Sequence, residues 1–295
     1  MARRSSIIVF FISFLAIALS ISAYLDWKSS PRNKHNNKLS ITTEFPIEQE
    51  FRFRFTVENT TSEHLKKVSL NFLLAPDQLA NQKSHFKIRN ARFEKVQSAT
   101  SINIDDLTAF ARTSFDVTWF TQKPQTVAIV GSYDKKMLNA SNLIQSEHPD
   151  IISLANSLLH KEVTRETVKN TFQWIVENIS YSGYLKQDQG ALYALKSKSG
   201  DCTEFSYLTT ALLRANKIPA RVMVGFITPY KGRLTASDLH NWVEVYIDNA
   251  WHILDPQNNK AFASPQLYSA LGIVEESKNS LGVLRFDTQK IKVTF

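Results

Sequence analysis

The sequence predicts an α+β chain, and three patterns carry that prediction. Apolar residues alternate with polar ones through the first half, helical stripes fill the stretch from 151 to 215, and strand-like runs follow. An uncharged apolar run near the N-terminus adds a membrane-spanning helix ahead of both.

That run extends from Ile7 to Leu25, broken only by Ser13, Ser20, Ser22 and Tyr24, and follows Met1-Ala2-Arg3-Arg4. A spanning helix needs about 20 apolar residues and a cleavable signal core about 7–15, so an uncleaved signal anchor over 1–28 is expected. Small residues at Ala18, Ser20, Ser22 and Ala23 leave cleavage open. Arg3 and Arg4 favour a cytoplasmic N-terminus, whereas Lys28, Arg32, Lys34 and Lys38 pull the other way. The layout resembles a bacterial signal sequence, and the expectation is a single-pass cell-membrane protein with its body periplasmic or extracellular. Residues 29–43, polar and containing Pro31, Asn33, Asn36 and Asn37, read as a tether.

From 44 to 135 the pattern is that of strands. Phe51, Phe53, Phe55 and Val57 alternate with Arg52, Arg54 and Thr56, and Val68, Leu70, Phe72 and Leu74 form a second alternating run after a turn at 58–63. Further runs at 85–96, 101–104, 109–112, 115–120 and 127–133 predict an immunoglobulin-like β-sandwich. It contains no cysteine, which excludes the antibody-type disulfide.

The second domain, 143–295, begins with helices. Pro149 starts one carrying Ile151, Ile152, Ala155, Leu158 and Leu159, and Thr164 is expected to cap another with Val168, Phe172, Ile175 and Val176 on one stripe. A loop over 181–189 and a short helix over 191–196 lead to Gly200-Asp201-Cys202-Thr203-Glu204. Cys202 is the only cysteine in 295 residues, and Phe205, Leu208, Leu212 and Ala215 recur behind it at helical spacing. It therefore lies in the first turn, where unpaired amides and the positive end of the dipole favour a thiolate. Asp201 and Glu204 read first as capping partners of that turn.

After the helix, Ile218-Pro219 leads into a strand over 220–226, and His240–Ile247 with Trp251–Asp255 predicts a hairpin turning at Asp248-Asn249. If Ile247 pairs with Ala250, paired numbers sum to 497, and Asp255 falls on the same face as His240, one diagonal step away. A slip of one residue would send the two to opposite faces. His252 falls on the other face and reads as a structural histidine. No second cysteine or paired-ligand spacing supports a zinc site, and no phosphate-cradling loop or nucleotide fingerprint is present, so no metal or cofactor is expected.

These blocks resemble the core of the transglutaminase-like superfamily. The residues that carry the resemblance are Gly200–Glu204, Leu213–Arg221, His240-Asn241-Trp242-Val243-Glu244-Val245-Tyr246, Trp251 and Asp255-Pro256, and it covers roughly residues 143–262. It implies a papain-like fold in which Cys202, His240 and Asp255 fill the places of a catalytic triad. It further implies cysteine-dependent acyl transfer or hydrolysis on peptide or protein amides. A catalytically silent scaffold that binds peptide or envelope polymer is the alternative. Arg221 matches the family's arginine and reads as one half of a structural ion pair. A second oxyanion donor could come from Tyr181, Tyr184, Gln187 or Gln189.

Composition sets the frame for partners. With 43% hydrophobic and 21% charged residues the chain is an ordinary globular one of about two domains. Its net charge of +8 favours acidic partners or surfaces, such as anionic lipid or cell-wall polymer. No nucleic-acid motif accompanies the basic residues, and no nucleic-acid partner is expected.

Overall fold

The computed structural model describes residues 48–72, 83–89, 92–96, 99–122, 129–185, 187–227, 232–274, 280–281, 284–286 and 290–294. The expected membrane segment and tether lie outside the described residues, as does Leu74 at the end of the second alternating run. Among the described residues no helix is long and apolar enough to cross a membrane.

Period-two alternation does produce strands. β1 (Glu48–Asn59), β2 (Leu65–Phe72), β3 (Lys83–Arg89), β4 (Arg92–Val96), β5 (Ala99–Leu107) and β6 (Arg112–Gln122) divide between two sheets, with β3-β6-β1 in one and β2-β5-β4 in the other. Phe51, Phe53, Phe55 and Val57 point inward from β1 and meet Val68, Leu70, Ile102 and Ile104 of the facing sheet. Aromatic pairs seal this layer: Phe55 stacks on Phe115 at 5.1 Å and Phe51 meets Trp119 at 5.3 Å.

Residues 58–63 cross from one sheet to the other instead of closing a hairpin, and Asn59 explains how the arch holds. Its buried side chain donates to the carbonyls of Glu63 (2.7 Å), Leu107 (3.1 Å) and Thr108 (2.9 Å), while its Oδ1 accepts from the Thr61 amide at 3.0 Å. One amide thus ties the arch to the turn between β5 and β6. The run 109–112, expected as a strand, is largely that turn: Phe110 adopts φ 57° and its amide donates to the Thr61 carbonyl.

The second half is built on four helices and an antiparallel sheet. α1 (Pro149–Leu158) and α2 (Thr164–Asn178) pack beside α4 (Cys202–Ala215), with α3 (Ala191–Ser197) between them in sequence. α1 carries Pro149 at its start as expected, but Thr164 is the first residue of α2 and not its cap, a position held by Val163 without a side-chain hydrogen bond. α4 is buried on every side from Glu204 to Arg214, so it forms the axis of this half. Short strands β8 (Ser180–Tyr181) and β9 (Ser199–Gly200) pair in parallel just before it.

The sheet comprises β10 (Ala220–Ile227), β12 (Leu239–Ile247), β13 (Ala250–Asp255), β14 (Lys260–Ala263) and β15 (Tyr268–Ile273), in the order β14-β13-β12-β10-β15. β7 (Ile129–Val130) joins it through Trp251 and Ala250, so within the run at 127–133 the described strand serves this sheet and not the sandwich. Residues 264–271, which by sequence read as a possible short helix, form a 3₁₀ turn at Pro265–Leu267 followed by β15, whose Tyr268 and Ala270 are buried beside Met223 and Trp242. Tertiary pairing with β10 decides that segment.

The two halves meet in one apolar cluster, while the second half keeps further clusters of its own. β11 (Gly232–Arg233), between β10 and β12 in sequence, pairs with β1, while β17 (Leu284–Phe286) pairs with β2 and with β16 (Ser280–Leu281), and β18 (Ile291–Thr294) pairs with β1. Val224, Phe226, Leu234 and Leu271 enter the sandwich core, with Phe226 6.3 Å from the ring of Trp119. Replacing Asn59 with alanine removes the side-chain donor from three carbonyls at the arch, of which Thr108 keeps the Ala111 amide, and denaturant titration is expected to show a loss of about 2–3 kcal/mol. A change below about 0.5 kcal/mol would show that the arch does not depend on this amide.

Candidate active site

Three structural devices bring distant residues together at the N-terminus of α4. The first is the cap itself. Asp201 occupies the N-cap and accepts from the Thr203 amide at 2.8 Å, while Glu204 accepts from the Asp201 amide at 3.3 Å, a reciprocal capping box. Gly200 is required here, since a Cβ would fall 2.3 Å from the Glu204 Cβ. Cys202 follows as the first helical residue, half-buried, with Sγ 3.6 Å from the Asn241 Oδ1.

The same two carboxylates clasp the loop that precedes the helix. Asp201 Oδ2 accepts from the Leu185 amide and Glu204 Oε1 from the Gln189 amide, both at 2.8 Å, and Tyr207 donates its hydroxyl to Asp188 at 3.0 Å. Burial, and after it the hydrogen-bonded Asp201 carboxylate, raises the pKa of Glu204 to about 7 against the backbone donors that favour its charge.

The third device is the hairpin of β12 and β13. Asp248 and Asn249 both take left-handed backbone, φ 54° and 60°, and Ile247 pairs with Ala250 as the sum rule requires. Val243 pairs with Leu254, which carries His240 and Asp255 to neighbouring positions at one end. His240 Nε2 lies 3.0 Å from Asp255 Oδ1, with the imidazole 12% exposed and the carboxylate fully buried. Gly225 pairs with His240 on the other side, where a Cβ would meet the Ser269 carbonyl at 2.1 Å.

Asp255 is buried but amply satisfied. Besides the imidazole it accepts from Asn258 Nδ2 at 2.9 Å and from the Tyr268 hydroxyl at 3.0 Å, both on Oδ2, and from the Asn258 amide at 3.3 Å on Oδ1. Burial works against its charge, yet the hydrogen bonds of His240, Asn258 and Tyr268 hold its pKa below the ordinary carboxylate range. For His240 burial again opposes charge, but the Asp255 hydrogen bond and then the contact with Cys202 raise its pKa to about 9. With Nε2 committed to Asp255, Nδ1 is the nitrogen left for the sulfur.

Cys202, His240 and Asp255 therefore converge. Sequence reasoning missed Asn241, Asn258 and Tyr268. Asn241 adjoins His240 but is fixed by a bond from its Nδ2 to the Met223 carbonyl at 3.1 Å, which aims Oδ1 at the thiol. Tyr268 reaches Asp255 from β15, which no local spacing signals; its ring packs edge-on to Trp242 at 5.1 Å. Of the four residues considered for oxyanion stabilisation, Tyr181 and Tyr184 are 59% and 79% exposed, and the Gln189 side chain donates to the Gln187 carbonyl. His252 meets Phe262 edge-on away from the cluster, and Arg221 forms a buried ion pair with Glu244 at 2.6 Å beneath Trp251.

Comparison with known proteins agrees with this architecture. Residues 152–256 match the model of the transglutaminase-like superfamily. In fold the chain is similar to a Cytophaga hutchinsonii protein described as a candidate cysteine protease, with a TM-score of 0.59 at 19% identity over 84% of this chain and 90% of that one. It is 22% identical over 148 residues to an uncharacterised Mycobacterium leprae protein, covering 48% of this chain and 51% of the relative. It is also 27% identical over 144 residues to a Methanocaldococcus jannaschii protein, covering 45% of this chain and 40% of that one. The chain thus spans about half or less of the length of these curated relatives.

The raised pKa of Glu204 has a definite sign in stability. A group that binds its proton more tightly when folded stabilises fully below its ordinary pKa of 4.5, and that contribution is lost as pH rises through about 7. The unfolding free energy of the wild type relative to Glu204→Gln is therefore expected to fall between these pH values, on top of a constant offset. A pH-independent difference would contradict the assignment.

Proposed function

We propose that the chain is a cysteine-dependent hydrolase or acyltransferase acting on peptide or protein amides. The observation that carries this reading is the His240–Asp255 pair, buried and hydrogen-bonded beside the one thiol at a helix N-terminus. Cys202 is the nucleophile, His240 the proton carrier and Asp255 the group that fixes the imidazole.

In the first half-reaction Sγ attacks the amide carbon while His240, through Nδ1, holds the proton taken from the thiol. The negative charge that develops on the carbonyl oxygen is met by the Cys202 backbone amide, free of any intrahelical partner at the first helical position. Collapse breaks the C–N bond, and the imidazolium gives its proton to the leaving amine. A thioester remains. Attack by water then yields an acid, and attack by a primary amine yields a new amide, with His240 taking the proton of either nucleophile.

The apolar run from Ile7 to Leu25 supports a membrane anchor, and its likeness in layout to a bacterial signal sequence supports an exported body, against the charge count, which leans toward a cytoplasmic one through Lys28, Arg32, Lys34 and Lys38. We read the two-sheet sandwich as an immunoglobulin-like spacer that shares its core with the catalytic half.

Incubation with a glutamine-rich peptide library, with and without a primary amine, identifies the acceptor by mass. Water as acceptor gives cleaved or deamidated products, and amine incorporation marks transamidation. Alkylation of Cys202 by iodoacetamide at neutral pH is expected to slow by about tenfold or more in His240→Ala. Equal rates in both proteins, with no product from the library, would leave a binding scaffold as the function.

A further inference from the structure

The outward face of the first sheet is far more basic than the rest of the sandwich requires. Register places Arg233, Arg52, Thr118 and Lys87 in one row across β11-β1-β6-β3, and Arg54, Asp116 and Arg89 in the next. All five cations are exposed. An open cavity of about 690 Å³ lies over the four arginines, lined by Arg52, Arg54, Arg89 and Arg233 with Glu50 and Asp116.

Two of the cations are already matched. Arg54 holds Asp116 through two bonds at 2.7 and 3.0 Å, and Arg52 holds Glu50 at 2.7 Å. Arg89, Arg233 and Lys87 form no ion pair within 4.0 Å among the described residues, although Arg89 and Arg233 add to the chief effect of the Arg54 hydrogen bond in holding the Asp116 carboxyl below its ordinary pKa. The matched pairs show how this face binds oxyanions: Arg54 takes the Asp116 carboxylate side-on through Nε and Nη2, and Arg52 directs both Nε and Nη2 at one oxygen of Glu50.

We infer that this face is an exosite for an acidic segment of the protein substrate, docked in extended form along the strands. Cations on one strand face, such as Arg52 and Arg54 or Lys87 and Arg89, repeat every two residues, about 6.8 Å. Alternate carboxylates on an extended peptide repeat at the same interval. Concavity argues for a discrete segment over a flat membrane. Phe120, the aromatic beside these rows, is covered by Lys87 at 5.0 Å, which removes a platform for base stacking.

Chain connectivity ties this face to the cleft. From Arg233 the chain passes through Leu234, whose amide bonds to the Arg52 carbonyl, and reaches His240 seven residues later. Seven residues span at most about 25 Å, so a substrate whose acidic tract lies several residues from the reacting amide can engage both sites. The inference rests on the proposed amide chemistry for its substrate class, but the docking itself is measurable without it.

The test uses the full chain carrying Cys202→Ala, titrated with a fluorescein-labelled oligoglutamate peptide at low and at physiological salt. Binding is expected, weaker at higher salt, and reduced about tenfold or more by Arg89→Glu with Arg233→Glu. Lys161→Glu, an equal change of charge per residue on the loop between α1 and α2, is expected to change affinity less than about twofold. Retained binding in the double variant overturns the exosite, as does equal loss in Lys161→Glu. So does binding of phosphatidylglycerol vesicles or polyphosphate, lost in the double variant, when oligoglutamate itself does not bind. In the Cys202-containing protein the double variant should raise KM for substrates bearing an acidic tract and leave kcat unchanged. Absence of turnover with intact peptide binding faults the chemistry and not the exosite.

Discussion

A carboxylate with no access to water stays ionised only if other groups replace its hydration. Asp255 meets that condition through the His240 ring, the Asn258 side chain and amide, and the Tyr268 hydroxyl, and each arrives from a different place in the chain. Tyr268 needs β15 paired to β10, Asn258 needs the turn after β13, and His240 needs the hairpin in register. The site is therefore a readout of sheet assembly. Remove any one of these pairings and a buried anion loses a partner; lose the hairpin register and the imidazole also loses the contact that raises its pKa to about 9.

Much of this was legible in the sequence because it is set locally. Asp201 and Glu204 stand at the spacing of a capping box, so the helix start and the place of Cys202 follow from a few adjacent residues. Asp248 and Asn249 tolerate left-handed backbone, which fixes the turn, and the turn fixes the register that brings His240 to Asp255. Apolar alternation in β1 and β6 likewise marks the inward face of the sandwich without reference to any partner.

What the sequence concealed depends on contacts between remote segments. Tyr268 sits in a stretch that reads as a helix and becomes a strand only against β10. Ile129 and Val130 look like the last strand of the sandwich, yet Trp251 and Ala250 recruit them. Nothing near Asn59 signals that one amide would bind three carbonyls across two turns. In each instance long-range pairing outweighs local preference.

The joined core has a consequence for the active site. Gly225 and Phe226 neighbour His240 and Leu239 across the β10–β12 ladder, and Phe226 also packs on Trp119, so the imidazole end of the cleft rests on the sandwich. The arrangement gives the β-domain a supporting role in holding the site, and it places Arg233 of the basic sheet face and His240 on one continuous stretch of chain. Nitrogen-15 NMR titration of His240 in the Cys202→Ala chain, compared with the same chain carrying Asp255→Asn, tests the central pair directly. A ring that titrates well above 6.5 and shifts down on loss of the carboxylate is the expected result. A ring that titrates near 6.5 and ignores the substitution would contradict the account.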